Sequence, residues 1–208
     1  MLNTLSNEFT EKHVIEIIPP KQFKTVPWKN GLGETTELAI NVGGTLDDFD
    51  WCLSIASVIE DGVFSNFAGY TRHLILIDGN GINLQHNDSK IDKLNNLLDM
   101  ATFNGDDKTV GNLHSGDITD FNVITRTEGF NTNVIAEHKL VNYPLEQADL
   151  CFVYSLYRDA ELIISDTKEV IKLPADHLLK IQPACQTQNN IFASLTGTHL
   201  IVVYLYQQ

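Results

Sequence analysis

The residues best equipped for chemistry fall in three stretches. In PWKNGLGETTELAI, Trp28, Lys29 and Asn30 precede a Gly31-Leu32-Gly33 turn, and Thr35 and Glu37 follow it. An aromatic wall with one cationic donor and one amide donor is a set of groups that holds a small carboxylate or acyl ligand; a plain glycine turn between strands is the competing reading. In EDGVFSNFAGYTRHLILIDGNG, Phe64, Phe67 and Tyr70 gather around Gly69, and Arg72 heads a very apolar strand. That arginine is either a surface group at the strand entry or a fork that pairs a carboxylate. In NGDDKTVGNLHSGDITDFNVITR, Asp120 and Asn122 share a strand face with Ile124, and Arg126 closes the stretch. Here the alternatives are an Asx-rich strand start and an acid–amide pair at a site.

Other chemistries fit poorly. A phosphate loop needs Lys-Ser/Thr after its last glycine, whereas Lys29 precedes the glycines; a dinucleotide fingerprint needs a third glycine and a following helix. The seven histidines (13, 73, 86, 114, 138, 177 and 199) form no HxH or HExxH pattern, so no metal or other cofactor is expected. No GxSxG marks a hydrolase nucleophile. Cys52, Cys151 and Cys185 lie far apart and read as buried free thiols. With 27 acidic against 14 basic residues the net charge is −13, which repels polyanions and argues against nucleic acid. The first residues lack an apolar signal core and no run of about 18 apolar residues occurs, so a cytoplasmic protein without membrane partners is expected.

The elements that must position these groups are strands. Short β-branched and aromatic runs are predicted at His13–Ile18, Thr36–Val42, Trp51–Val58, His73–Ile77, Asp120–Thr125, Val134–Leu140, Leu150–Tyr157, Glu161–Ile164, Glu169–Leu173, His177–Ile181 and His199–Leu205. Turn tokens such as NVGG, DGNG, HSGD and TGT separate them. An all-β barrel or sandwich follows. Ser89–Met100 fits either a helix, with Ile91, Leu94 and Leu98 on one face, or a distorted strand and loop. In the strand after the glycine turn, Thr36, Leu38, Ile40 and Val42 alternate with Glu37, Ala39 and Asn41. If the polar face turns inward, Thr35 and Glu37 enter an interior where the carboxylate needs a cationic partner.

Together the segments 27–39, 50–84 and 103–126 resemble the HutD/Ves family of bacterial proteins, over roughly the first 60% of the chain. The resemblance implies a bicupin-like fold, two small antiparallel β-barrels of jelly-roll type. We expect the first unit to span residues 1–126 and the second 127–208, joined as one compact body. It also implies a ligand site at Trp28, Lys29, Asn30, Gly31, Thr35, Glu37, Phe64, Ser65, Arg72, Asp120, Asn122 and Arg126. The ligand implied is N-formylglutamate or a related small acid, in a regulatory role in histidine utilisation and with no catalytic activity attached. In that scheme Lys29 and Arg72 neutralise a carboxylate, Asn30 and Asn122 position an amide or formyl group, and Trp28 and Phe64 exclude water. The Ves branch implies a cold- or stress-induced protein instead, and a metal-independent enzyme acting on a small acid is a further reading. A homodimer is compatible with any of these. The sequence departs from the family pattern at Leu32, Thr36 and Ala68, where a glycine, an arginine and a proline are usual.

Overall fold

The computed structural model describes residues 14–28, 33–45, 48–182 and 191–208. Lys29, Asn30, Gly31 and Cys185 therefore lie outside the described residues. The strands are β1 (Val14–Ile18), β2 (Lys24–Pro27), β3 (Gly33–Ile40), β4 (Trp51–Val58), β5 (Gly62–Val63), β6 (Tyr70–Gly79), β7 (Ile82–His86), β8 (Lys90–Leu94) and β9 (Met100–Asn104). They continue as β10 (Thr109–Leu113), β11 (Ile118–Arg126), β12 (Phe130–Glu146), β13 (Leu150–Ser155), β14 (Ala160–Ile164), β15 (Val170–Leu173), β16 (Leu178–Gln182) and β17 (Ile191–Gln207). The only helical element among the described residues is one 3-10 turn, Pro20–Gln22, entered through Pro19. No helix among them is long and apolar enough to cross a membrane.

The strands form three antiparallel sheets. A six-stranded sheet runs β2-β3-β4-β11-β6-β9, a four-stranded sheet runs β5-β10-β7-β8, and a seven-stranded sheet runs β1-β16-β13-β17-β14-β15 with β12 also paired to β17. The six-stranded sheet is the middle layer. On one face Leu53, Ile75, Phe121 and Val123 pack with Phe152, Tyr154, Ile201 and Val203 of the seven-stranded sheet. On the other, Val58, Leu74, Leu76 and Ile118 meet Ile82, Leu84 and Leu94 of the four-stranded sheet. Covering both faces explains why the centre of β6, His73–Ile77, is apolar almost without alternation and buried throughout. Each such aliphatic side chain contributes about 1.5–3 kcal/mol on burial. A third cluster, including Val153, Leu162, Leu195, Val202 and Tyr204, fills the opposite face of the seven-stranded sheet.

One open alternative is resolved, toward strand and loop, and one strand boundary changes. Ser89–Met100 is not helical: β8 ends at Leu94, a turn follows, and β9 starts at Met100. The turn is fixed by Asp99, whose Oδ2 accepts from the backbone N–H groups of Asn95 and Asn96 at 2.8 and 2.9 Å. It buries Leu94 and Leu98 while leaving Ile91 half exposed, which is the spacing that imitates a helix face. The strand after the glycine turn runs from Gly33 and stops at Ile40: pairing with β4 resumes after a register shift between Glu37 and Ala39, and a turn in which the Gly44 N–H donates to the Asn41 carbonyl at 2.9 Å then follows. Val42 then stands fully exposed in a turn beside Gly43, whose φ is 80°.

Candidate functional site

Cross-strand register brings the three sequence stretches onto one surface. Thr35 of β3 lies opposite Ala56 of β4, which lies opposite Asp120 of β11, which lies opposite Leu76 of β6. Two residues along, on the same face, Glu37, Ser54, Asn122 and Leu74 form the next row. Beyond it Cys52, Ile124, Arg72 and Phe103 align. Directly opposed residues in a sheet share a face, and Leu74, Leu76 and Phe103 identify this face as the one turned to the four-stranded sheet. The polar side of β3 thus faces inward, with Leu38 on the opposite side in the other core.

Arg72 is the centre of the arrangement. It is 5% exposed, and its guanidinium carbon lies 5.5, 5.2 and 5.1 Å from the ring centroids of Phe64, Phe67 and Phe103. Such stacking favours a desolvated cation by up to ~2 kcal/mol per ring. Nη2 donates to Asn122 Oδ1 at 3.1 Å and Nη1 donates to the Ser65 carbonyl at 3.3 Å. No carboxylate among the described residues lies within ion-pair distance of it. Asn122 in turn donates through Nδ2 to Asp120 Oδ1. This amide orientation is the one that serves both neighbours, since the guanidinium only donates. Arg72 Nε and Asp120 Oδ2 are buried without hydrogen-bond partners among the described residues.

Electrostatics follow from this geometry. Burial pushes the Asp120 carboxyl up to about 7, against the opposing pull of Arg72 and the Asn122 hydrogen bond. Burial also pushes Arg72 down to about 10, with Asp120 opposing, so the guanidinium remains charged at neutral pH. The interior therefore holds a cation whose nearest acid is separated from it by an amide and is only partly ionised near neutrality.

The flanking groups close this region. Trp28 Nε1 donates to Thr35 Oγ1 at 2.8 Å, and the indole lies against Gly33. A Cβ at Gly33 would stand 2.9 Å from the indole ring and 2.2 Å from the Ser57 carbonyl, so no larger residue fits there without displacing the strand. Phe64 rests on Gly111 of β10 in the same manner, 2.5 Å from where a Cβ would be. Glu37, whose side chain is 14% exposed, pairs with the exposed Lys24 at 3.6 Å. Ser65 reaches the site through its carbonyl, its side chain being exposed.

Arg126 stands apart. It pairs with Asp48 at 2.9 Å and Asp50 at 3.3 Å, donates to the Phe49 carbonyl, and stacks on Tyr70 at 5.0 Å. Ser54, Phe103, Gly111 and His86 are additions that local sequence patterns do not single out. His86 is buried, shares a hydrogen bond between Nδ1 and Thr109 Oγ1 at 2.9 Å, sits 3.2 Å from Asp92 and stacks on Phe103. Burial lowers its pKa, with Asp92 opposing. Among the described residues no group of three or more His, Cys, Asp and Glu is placed to hold a metal ion.

Known proteins share this build. An uncharacterised 21.2 kDa protein from the hutC 3' region of Pseudomonas putida is 36% identical over 110 residues, covering 53% of this chain and 57% of that protein. Protein Ves of Escherichia fergusonii is 28% identical over 156 residues, covering 74% of this chain and 81% of that one. HutD from Pseudomonas fluorescens SBW25, solved in a formate condition, superposes with a TM-score of 0.77 at 27% identity, over 94% of this chain and all of that one. The family model for HutD matches residues 20–197, most of the length and all of the site described above, and the chain belongs to the HutD family.

Proposed function

We propose that the protein binds a small carboxylic acid in the space between the six- and four-stranded sheets, with N-formylglutamate as the ligand and a regulatory role in histidine utilisation. The observation that carries this reading is the Arg72 guanidinium, buried among three phenyl rings with no carboxylate in ion-pair contact among the described residues. A buried charge needs a counter-charge, and a bound carboxylate supplies it. Trp28 and Phe64 shield the ligand from water and Asn122 orients the guanidinium; Lys29 and Asn30, which the resemblance also implies, lie outside the described residues. The name of the Pseudomonas putida relative, from a hutC region, supports the pathway. In this reading the chain has a bicupin build, with residues 1–126 as the ligand-holding unit and 127–208 as a second unit. The six- and four-stranded sheets draw only on residues 24–126, which supports that division, although β1 pairs with β16.

Thermal denaturation with N-formyl-L-glutamate and with formate tests the proposal. A rise in melting temperature that grows with ligand concentration is expected, and Arg72→Met folds but loses it. An equal rise in Arg72→Met overturns the assignment. A second reading, a metal-independent enzyme with Asp120 as general acid or base, draws on the raised pKa of that buried carboxyl. Turnover of N-formyl-L-glutamate followed by NMR separates it from simple capture.

A further inference from the structure

We propose that Asp120 is the specificity-determining partner of the anion: it takes up one solvent proton as a ligand carboxylate settles on Arg72, and the neutral acid, keeping that proton on Oδ2, donates a hydrogen bond to the ligand. This rests on the small-acid reading above and adds to it the proton stoichiometry and the residue that carries it. The geometry supplies three parts of the argument. Asp120 is completely buried, so its charge has no water to screen it. Its Oδ1 is occupied as an acceptor by the Asn122 amide, which leaves Oδ2, without a partner among the described residues, as the oxygen for the proton. Arg72 is linked to Asp120 only through Asn122, so a ligand carboxylate on the guanidinium takes over the counter-ion role and stands close enough to repel a second anion.

The remaining charged and titratable groups turned toward this interior among the described residues do not replace Asp120 in this role. Glu37 of β3 is held by Lys24 of β2. Cys52 of β4 is a thiol pushed up to about 12, so it carries no charge to lose. His86 of β7 is occupied by Thr109 and stands beside Asp92, itself paired to Lys90 at 2.8 Å. The carboxyl of Asp120 titrates near neutrality, so its protonation can follow the arrival of a ligand whose own carboxylates stay ionised. Atoms balance simply: one solvent proton joins Oδ2 for each anion bound. A neutral acid at Oδ2 favours ligands that present an acceptor there and rejects those that present an ammonium.

Calorimetric titration with N-formyl-L-glutamate in buffers of different ionisation enthalpy reads the proton directly. Near-complete uptake of one proton per ligand is expected at pH 8 and almost none at pH 6, with affinity falling about tenfold per pH unit above pH 8. Asp120→Asn, which keeps an acceptor for Asn122 and a donor for the ligand, binds with no proton uptake and a flat profile. Binding without uptake at pH 8, or uptake that persists in Asp120→Asn, overturns the inference and leaves the small-acid reading standing. No binding of N-formyl-L-glutamate or formate at either pH overturns that reading as well. If Asp120→Asn fails to fold, carbon-13 NMR of the Asp120 carboxyl in the unaltered protein decides: saturating formate must raise its titration midpoint, and an unchanged midpoint overturns the inference.

Discussion

Arg72 and Asp120 are both buried in the same interior and do not touch; the amide of Asn122 joins them, accepting from one and donating to the other. A direct ion pair would neutralise both groups and leave the guanidinium nothing to bind. With an amide between them, each keeps a polar atom without a partner among the described residues, Arg72 Nε and Asp120 Oδ2. Asn122→Leu removes both bonds while preserving volume, and strands two buried polar groups. We expect a loss of about 2–4 kcal/mol in urea denaturation. A loss under ~0.5 kcal/mol would show that water replaces the bridge.

Two buried titratable groups give stability slopes of opposite sign. Asp120 is raised from 3.8 to about 7, so between those values the unfolded chain releases a proton that the folded chain keeps. This group therefore lowers stability as pH rises, and Asp120→Asn should gain on the parent from pH 4 to pH 7, being equal to it near pH 4. His73, on the opposite face of β6 from Arg72, is lowered from 6.5 to about 4 by burial, with Nδ1 hydrogen-bonded to Thr102 at 3.0 Å. The unfolded chain binds this proton first, so the stability it lends is complete above pH 6.5 and is lost as pH falls toward 4. His73→Gln should flatten that acid limb. Denaturation midpoints measured at half-unit steps check both, and parallel profiles for parent and variants would contradict them.

The strands that carry Glu37, Arg72 and Asp120 were legible because β-branched and aromatic runs between turn residues need no partner to be recognised. The shared face of Asp120 and Asn122 was also legible, since it follows from a period of two. β7, β10 and β5 were not, because INLQH, TVGNL and GV mix polar and small residues whose burial depends on what lies across the sheet. Phe103 on β9 and Ser54 on β4 join the site through pairing with Arg72 and Asn122, a long-range relation that no local pattern carries. Gly111 is a similar case, its missing side chain being filled by Phe64 from 47 positions earlier. The inward turn of Glu37 is set by its row with Ser54 and Asn122, because one residue of register exchanges the two faces.

The Trp28 indole reports on the entrance to this region. Its hydrogen bond to Thr35 and its contact with Gly33 hold the ring against the end of β3. Trp51, the other tryptophan, is buried in the opposite core against Phe152. Thr35→Val should cost about 1 kcal/mol through the lost bond and shift the emission of Trp28 to the red. Gly33→Ala should do more, since its Cβ meets the Ser57 carbonyl as well as the ring. Emission recorded in a Trp51→Phe background isolates the signal, and an unshifted maximum in both variants would show that the indole is held by other contacts.

Arg126 lies at the strand ends, on partners separate from those of Arg72. Its side chain is 42% exposed and its two acidic partners, Asp48 and Asp50, are more exposed still. Ion pairs of this kind are screened by salt and contribute little on their own, yet here they fasten the segment before β4 to the end of β11, with the Tyr70 ring beneath. The role we propose for Arg126 is fastening of the strand ends. Arg126→Ala should lower the melting temperature slightly at low salt, with the difference shrinking at 0.5 M sodium chloride as screening takes over. N-formyl-L-glutamate should still stabilise this variant as it does the parent, in contrast to Arg72→Met. If Arg126→Ala loses that stabilisation as completely as Arg72→Met, the binding region extends along Tyr70 and Phe67 to the strand ends, and Arg126 belongs to it.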